Sequence, residues 1–161
     1  DSSRFKTYIS MKLIKPQNDI HAMVIGGHGD TTMIPLHRFA KYNGLSLSKF
    51  LKNTEIDEIV KSTMVGGATL TKLLGTSAWY APGAAVSSLV QSIACNHMKI
   101  FPCSALLNGE YGLHDLCIGV PVILGRNGIE KIIELELDPE DLNHLAESAE
   151  GVKQTNSLLS F

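Results

Sequence analysis

Apolar residues recur along this chain with two different periods. Phe5, Tyr8, Ile9 and Leu13 stand three or four apart, which predicts a helix over residues 3–15 that Pro16 stops. Residues 20–25 read as a strand leading into Gly26-Gly27-His28-Gly29, and residues 33–36 as a short extended continuation. A second helical tract follows. Thr54 and Asp57 have the spacing of a capping box, and Ile56, Ile59, Val60, Leu70, Leu73 and Leu74 form an apolar stripe behind it. Gly66-Gly67 interrupts that stripe, which predicts close packing against a neighbour. After Gly75 the run TSAWYAPGAA breaks the period. Pro82 is placed to begin another helix, with Val86, Leu89, Val90 and Ile93 facing inward.

The remainder opens with strands. Apolar runs over 100–107 and 117–124 predict two of them, Asn127-Gly128 predicts a hairpin, and Ile133, Leu135 and Leu137 alternate with Glu134 and Glu136. Asp138 then caps a last helix with Pro139 at its first position and Leu142, Leu145, Ala149 and Val152 on one face. No internal repeat, linker or low-complexity tract divides the chain. The pattern predicts an α+β fold, an antiparallel sheet packed with long helices.

Composition narrows the partners. The 161 residues suffice for one domain with its own core. A net charge of −2 and a pI near 6.3 supply no basic stripe for nucleic acid, and no run approaches the ~18 apolar residues of a membrane span. Cys95, Cys103 and Cys117 are odd in number, lack CxxC spacing and lie in apolar segments. They are expected as buried thiols of a cytoplasmic protein. The opening DSSRF, without Met and with a helix under way, suggests a piece of a longer chain.

His28 carries the candidate chemistry. Glycines on both sides let backbone and ligand approach its ring. Three readings are open from spacing alone. His28 could ligate a metal with Asp30 and either His21 or His37, could be a histidine hydrogen-bonded into a turn, or could be a general acid/base, since imidazole changes charge near neutral pH. Asp1 and Arg4, three apart on a first helical turn, could be a solvated pair or part of a site. His37, His97, His114 and His144 read as surface residues, and Trp79, Tyr80 and the methionines as core. GVPVILGRNG is not a G-x-G-x-x-G loop, so a dinucleotide fingerprint is absent.

The segments DSSRFKTYIS, GGHGDTTMIPL, GTSAWYAPGAA, GEYGLHDLCIGVPVILGRNGIEKIIELEL and the closing helix together resemble the C-terminal, substrate-binding half of the lactate/malate dehydrogenase family. The likeness covers nearly the whole chain in the family's order, and the SAWYAP wording is similar to the lactate-dehydrogenase-like malate dehydrogenases. It implies that His28 is the acid/base, Asp1 its partner carboxylate and Arg4 the holder of the substrate's C1 carboxylate. It implies that Ser77 and Ala78 line the pocket near the substrate and Pro82 near the nicotinamide, with Asp30 structural. These roles suit the residue types. A neutral imidazole can take the hydroxyl proton of a 2-hydroxy acid, a carboxylate on its other nitrogen fixes the tautomer, and a guanidinium grips a carboxylate bidentately.

The resemblance further implies that residues 1–161 are a single substrate-binding domain, that the N-terminal NAD-binding Rossmann domain is absent from it, and that NAD is held mainly by that missing domain. Malate or oxaloacetate is the expected small-molecule substrate, a homo-oligomer the expected assembly, and no metal is implied. The isolated chain is expected to be inactive. Alternatives are half of a lactate or other 2-hydroxy acid dehydrogenase, a non-catalytic oligomerisation or interaction module, and a metal hydrolase built on His28.

Overall fold

The computed structural model describes residues 1–159. The chain begins with helix α1 (Ser2–Leu13), runs through the short strands β1 (Ile20–His21), β2 (Val24–Gly26), β3 (Met33–Pro35), β4 (Lys41–Tyr42) and β5 (Leu45–Ser46), and then forms two helices, α2 (Asn53–Leu74) and α3 (Tyr80–Ala94). Strands β6 (Lys99–Asn108), β7 (His114–Gly125) and β8 (Gly128–Ile132) follow, and α4 (Pro139–Asn156) closes the fold. All pairing is antiparallel. A small sheet has the order β1-β4-β5, and a five-stranded sheet has the order β3-β2-β7-β6 with β8 on β7. The predicted α+β class stands.

Two cores flank the β2–β3 ribbon. Val24 and Met33 join Phe5, Ile9, Ile20, Ile56 and Ile59 in one, between α1, α2 and the small sheet. Ile25 and Ile34, paired across the ribbon, join Leu107, Leu116, Ile118 and Leu145 in the other, between the large sheet and α4. Because successive strand residues point to opposite faces, both faces of one short ribbon are buried. The loop after Gly26 therefore leaves from a seat fixed on two sides.

Several local readings change. The strand expected over 20–25 is two strands in different sheets: β1 pairs with β4, whereas β2 pairs with β3, and Met23 O already accepts the Leu36 N–H of that second ribbon. The box at the start of α2 is made by Glu55, whose carboxylate accepts the Lys52 N–H at 3.0 Å, and not by Thr54 and Asp57. Ile133, Leu135 and Leu137 alternate in burial as expected, yet the chain has left the sheet at Ile132. The hairpin is present, with Gly125 opposite Gly128. Asp138 caps α4 by accepting the Asp141 N–H at 2.9 Å, with Pro139 first in the helix, although Leu142 is exposed.

The largest departures concern what is covered. Leu70, Leu73 and Leu74 at the end of α2 are exposed, as are Val86 and Val90, and α3 begins at Tyr80. Trp79 and Tyr80, expected in the core, are 72% and 93% exposed. Cys95 and Cys117 are exposed and Cys103 half-buried, so the expected buried thiols are not found. Period marks an apolar face, but not what covers it.

Candidate active site

The site is built on the first turn of α1 and the loop after β2. Phe5 and Ile9 are fully buried and anchor α1 against α2, each worth about 2–3 kcal/mol of apolar burial. Ser2 ties the start of the helix to β2 by accepting the Val24 N–H at 3.0 Å. Asp1 occupies the N-cap position but makes no side-chain cap bond. Its carboxylate instead turns across the chain, with Oδ2 2.8 Å from His28 Nδ1 and Oδ1 3.4 Å from Arg4 Nη1. Three residues singled out in the sequence therefore meet.

An ionised carboxylate only accepts, so a neutral His28 facing it donates from Nδ1 and leaves Nε2 as the free acceptor. The imidazole is 87% exposed while the Asp1 carboxylate is 20% exposed, which presents Nε2 outward from a fixed partner.

Arg4 lies against α2. Its Nη1 donates to the Thr63 carbonyl at 3.0 Å, and the rest of the guanidinium runs over Gly66 and Gly67. A Cβ at Gly66 would stand 2.8 Å from Arg4 Cδ, and one at Gly67 3.0 Å from Nη2. The glycine pair therefore gives close packing as expected, and the neighbour it admits is Arg4. With Nη1 engaged, Nε and Nη2 remain for a ligand.

The His28 loop is closed from within. Gly29 N–H donates to Thr32 Oγ1 at 2.9 Å, and Thr32 and Met33 N–H both donate to Gly29 O. Asp30, expected to orient the turn, is exposed and makes no side-chain hydrogen bond among the described residues; Thr32 does that work. The Gly27 amide is engaged too, with Thr32 O and Ser148 Oγ. The Gly27 and Gly29 amides are therefore not free to cradle a phosphate.

Asp1, Gly27 and His28 line one side of a hollow of about 900 Å³, and Ala85, Ser88 and Leu89 of α3 line part of the other. Arg4, Ser77, Ala78 and Pro82 are not among its lining residues, and the last three are exposed. Among the described residues no three of His, Cys, Asp or Glu gather as a metal-ligand group, at His28 or elsewhere. Sequence reasoning missed Ser2, Thr63, Thr32 and Ser148; the contacts of Ser2, Thr63 and Ser148 join positions far apart and carry no local signal, whereas Thr32 stands three residues after Gly29, the spacing of a local side-chain turn.

Residues 1–158 match the model of the lactate/malate dehydrogenase alpha/beta C-terminal domain. The chain is 62% identical over 159 residues to a malate dehydrogenase of Parabacteroides distasonis, covering 99% of this chain and 51% of that protein. It superposes on the malate dehydrogenase of Salinibacter ruber with a TM-score of 0.93 at 41% identity, over 97% of this chain and 51% of that one. The lactate dehydrogenase of Cryptosporidium parvum, solved with lactic acid and nicotinamide adenine dinucleotide, gives 0.93 at 35% identity over 98% and 51%. The chain spans about half the length of the relatives it matches.

Proposed function

The chain belongs to the lactate/malate dehydrogenase family as its C-terminal domain, and from that premise we propose that it is the substrate-binding half of an NAD-dependent malate dehydrogenase. The observation that carries this reading is the 2.8 Å contact between Asp1 and an outward-facing His28, with Arg4 beside it. The C1 carboxylate of malate binds the free edge of Arg4. Its C2 hydroxyl donates to His28 Nε2, and the proton moves onto that nitrogen as the hydride leaves C2. The Asp1 carboxylate stabilises the imidazolium so formed. NAD, bound by the other half, supplies the hydride acceptor.

Ser77, Ala78 and Pro82 sit on the exposed turn and first helical residues between α2 and α3, where a second domain can press them toward substrate and nicotinamide. The exposed Leu73, Leu74, Trp79, Tyr80, Val86 and Val90 support docking of that domain and of further subunits onto this end. Malate is preferred to lactate because the more identical relatives are named malate dehydrogenases. The same residues would serve half of a lactate or other 2-hydroxy acid dehydrogenase. A cytoplasmic setting agrees with three free thiols, and no helix among the described residues is long and apolar enough to cross a membrane.

Joining this chain behind the half of the Parabacteroides distasonis enzyme that it does not span tests the reading. Malate-dependent NADH formation is expected from the joined protein, loss of it on His28→Asn, and none from the 161-residue chain alone. A joined, folded protein without turnover, or equal turnover by the isolated chain, overturns it.

A further inference from the structure

We propose that Ser148, in the middle of α4, is a positioning residue for His28, the latch that holds the histidine loop where the imidazole meets Asp1. Its hydroxyl accepts the Gly27 N–H at 2.8 Å and donates to the Thr32 carbonyl at 2.7 Å. Those two groups are the start and end of the loop that carries His28, and Ser148 is 2% exposed. Several other helical hydroxyls bond within their own helix, whereas Ser92 of α3 reaches out as Ser148 does and donates to the Leu124 carbonyl of β7 at 2.9 Å. Thr63, Thr69, Ser88 and Thr155 each donate to the carbonyl four residues earlier in their own helix. Ser148 forgoes that local bond and spends both donor and acceptor on a loop more than a hundred residues away.

Gly151, one turn on, also faces Thr32, where an added Cβ would lie in ordinary contact, 3.4 Å from the Thr32 methyl. Gly27 N–H also reaches Thr32 O directly at 3.0 Å, so without Ser148 the loop keeps this bond and the Gly29–Thr32 bonds within it but loses its hydrogen bonds to α4. His28 itself has a single side-chain partner among the described residues, Asp1. The ring direction is thus set by how the loop ends are held, and displacement of about 1 Å is enough to lose a reacting geometry.

This role rests on His28 being the acid/base of the proposed reaction. The test reads the histidine directly, by nitrogen NMR of its tautomer and by hydrogen exchange at the Gly27 amide, in the 161-residue chain. Ser148→Ala is expected to reduce the Nδ1–H tautomer and to speed Gly27 exchange about tenfold, while Thr69→Ala changes neither. In the joined two-domain protein Ser148→Ala is expected to lower kcat about tenfold or more with little change in KM. Should Ser148→Ala not fold, Ser148→Cys, which keeps a weak donor and similar volume, is read in the same way. A folded variant with unchanged tautomer and unchanged Gly27 exchange overturns the proposal. The tautomer does not depend on turnover, so a wrong assignment of the reaction shows as missing activity, and a wrong assignment of Ser148 as an unmoved histidine.

Discussion

Gly66 of α2 and Arg4 of α1 lie so close that a methyl group on Gly66 would stand 2.8 Å from Arg4 Cδ. The glycine is a seat for the arginine. In an exposed helix, Gly→Ala stabilises by about 1 kcal/mol, whereas overpacking a filled site costs about 1–3 kcal/mol. Gly66→Ala is therefore expected to lower Tm by a few degrees and, in the joined enzyme, to raise the KM for malate. A higher Tm with unchanged KM would show that the seat is not filled.

The pairing of Asp1 with His28 predicts a loss in turnover without a matching loss in binding. Asp1→Asn keeps the shape and removes the charge that stabilises the imidazolium. General acid/base catalysis contributes about 10²–10⁴-fold, and kcat of the joined enzyme is expected to fall within that range. Steady-state kinetics that leave kcat unchanged would remove Asp1 from the mechanism.

Tyr111 secures the segment between β8 and α4. Its hydroxyl donates to the Ile133 carbonyl at 3.0 Å and accepts the Leu135 N–H at 2.9 Å. Tyr111→Phe orphans both backbone groups and is expected to cost about 1–3 kcal/mol in chemical denaturation. Burial pushes the phenol above its ordinary value, so folding favours the neutral form. This contribution is fully present below the unfolded value of about 10 and is lost as pH rises through the folded value. The difference in stability between the native chain and Tyr111→Phe should shrink over that alkaline window; a constant difference would contradict it.

The three thiols should separate by reactivity. Cys95 and Cys117 are exposed, whereas burial pushes the half-buried Cys103 thiol up. At about pH 8 an aromatic disulfide reagent is expected to modify the first two roughly tenfold faster than Cys103, read by mass spectrometry of the labelled peptides. Equal rates at all three would be inconsistent with this arrangement.

Much of the local structure was legible in residue order. The spacing of Phe5 and Ile9 marked the buried face of α1, and Asp138-Pro139 marked the start of α4, because caps and periods act over a few residues. Resemblance to a family pointed to His28, Asp1 and Arg4, and the fold brings those three together. Residues 20–25 misled because two strands of two sheets follow each other without a turn signal in between. Val86 and Val90 misled because an amphipathic period is the same whether the core or another protein surface is to cover it.

The sequence by itself determined the elements, their apolar faces and the residue types able to move a proton or grip a carboxylate. Tertiary structure decided which of them meet. Asp1 reaches His28 because Phe5 and Ile9 seat α1 beside β2, and Arg4 turns toward α2 because Gly66 and Gly67 leave it room. Ser148 enters the site only because α4 packs against the other face of the β2–β3 ribbon. Each is a contact between segments far apart in the chain, set by packing that no local period encodes.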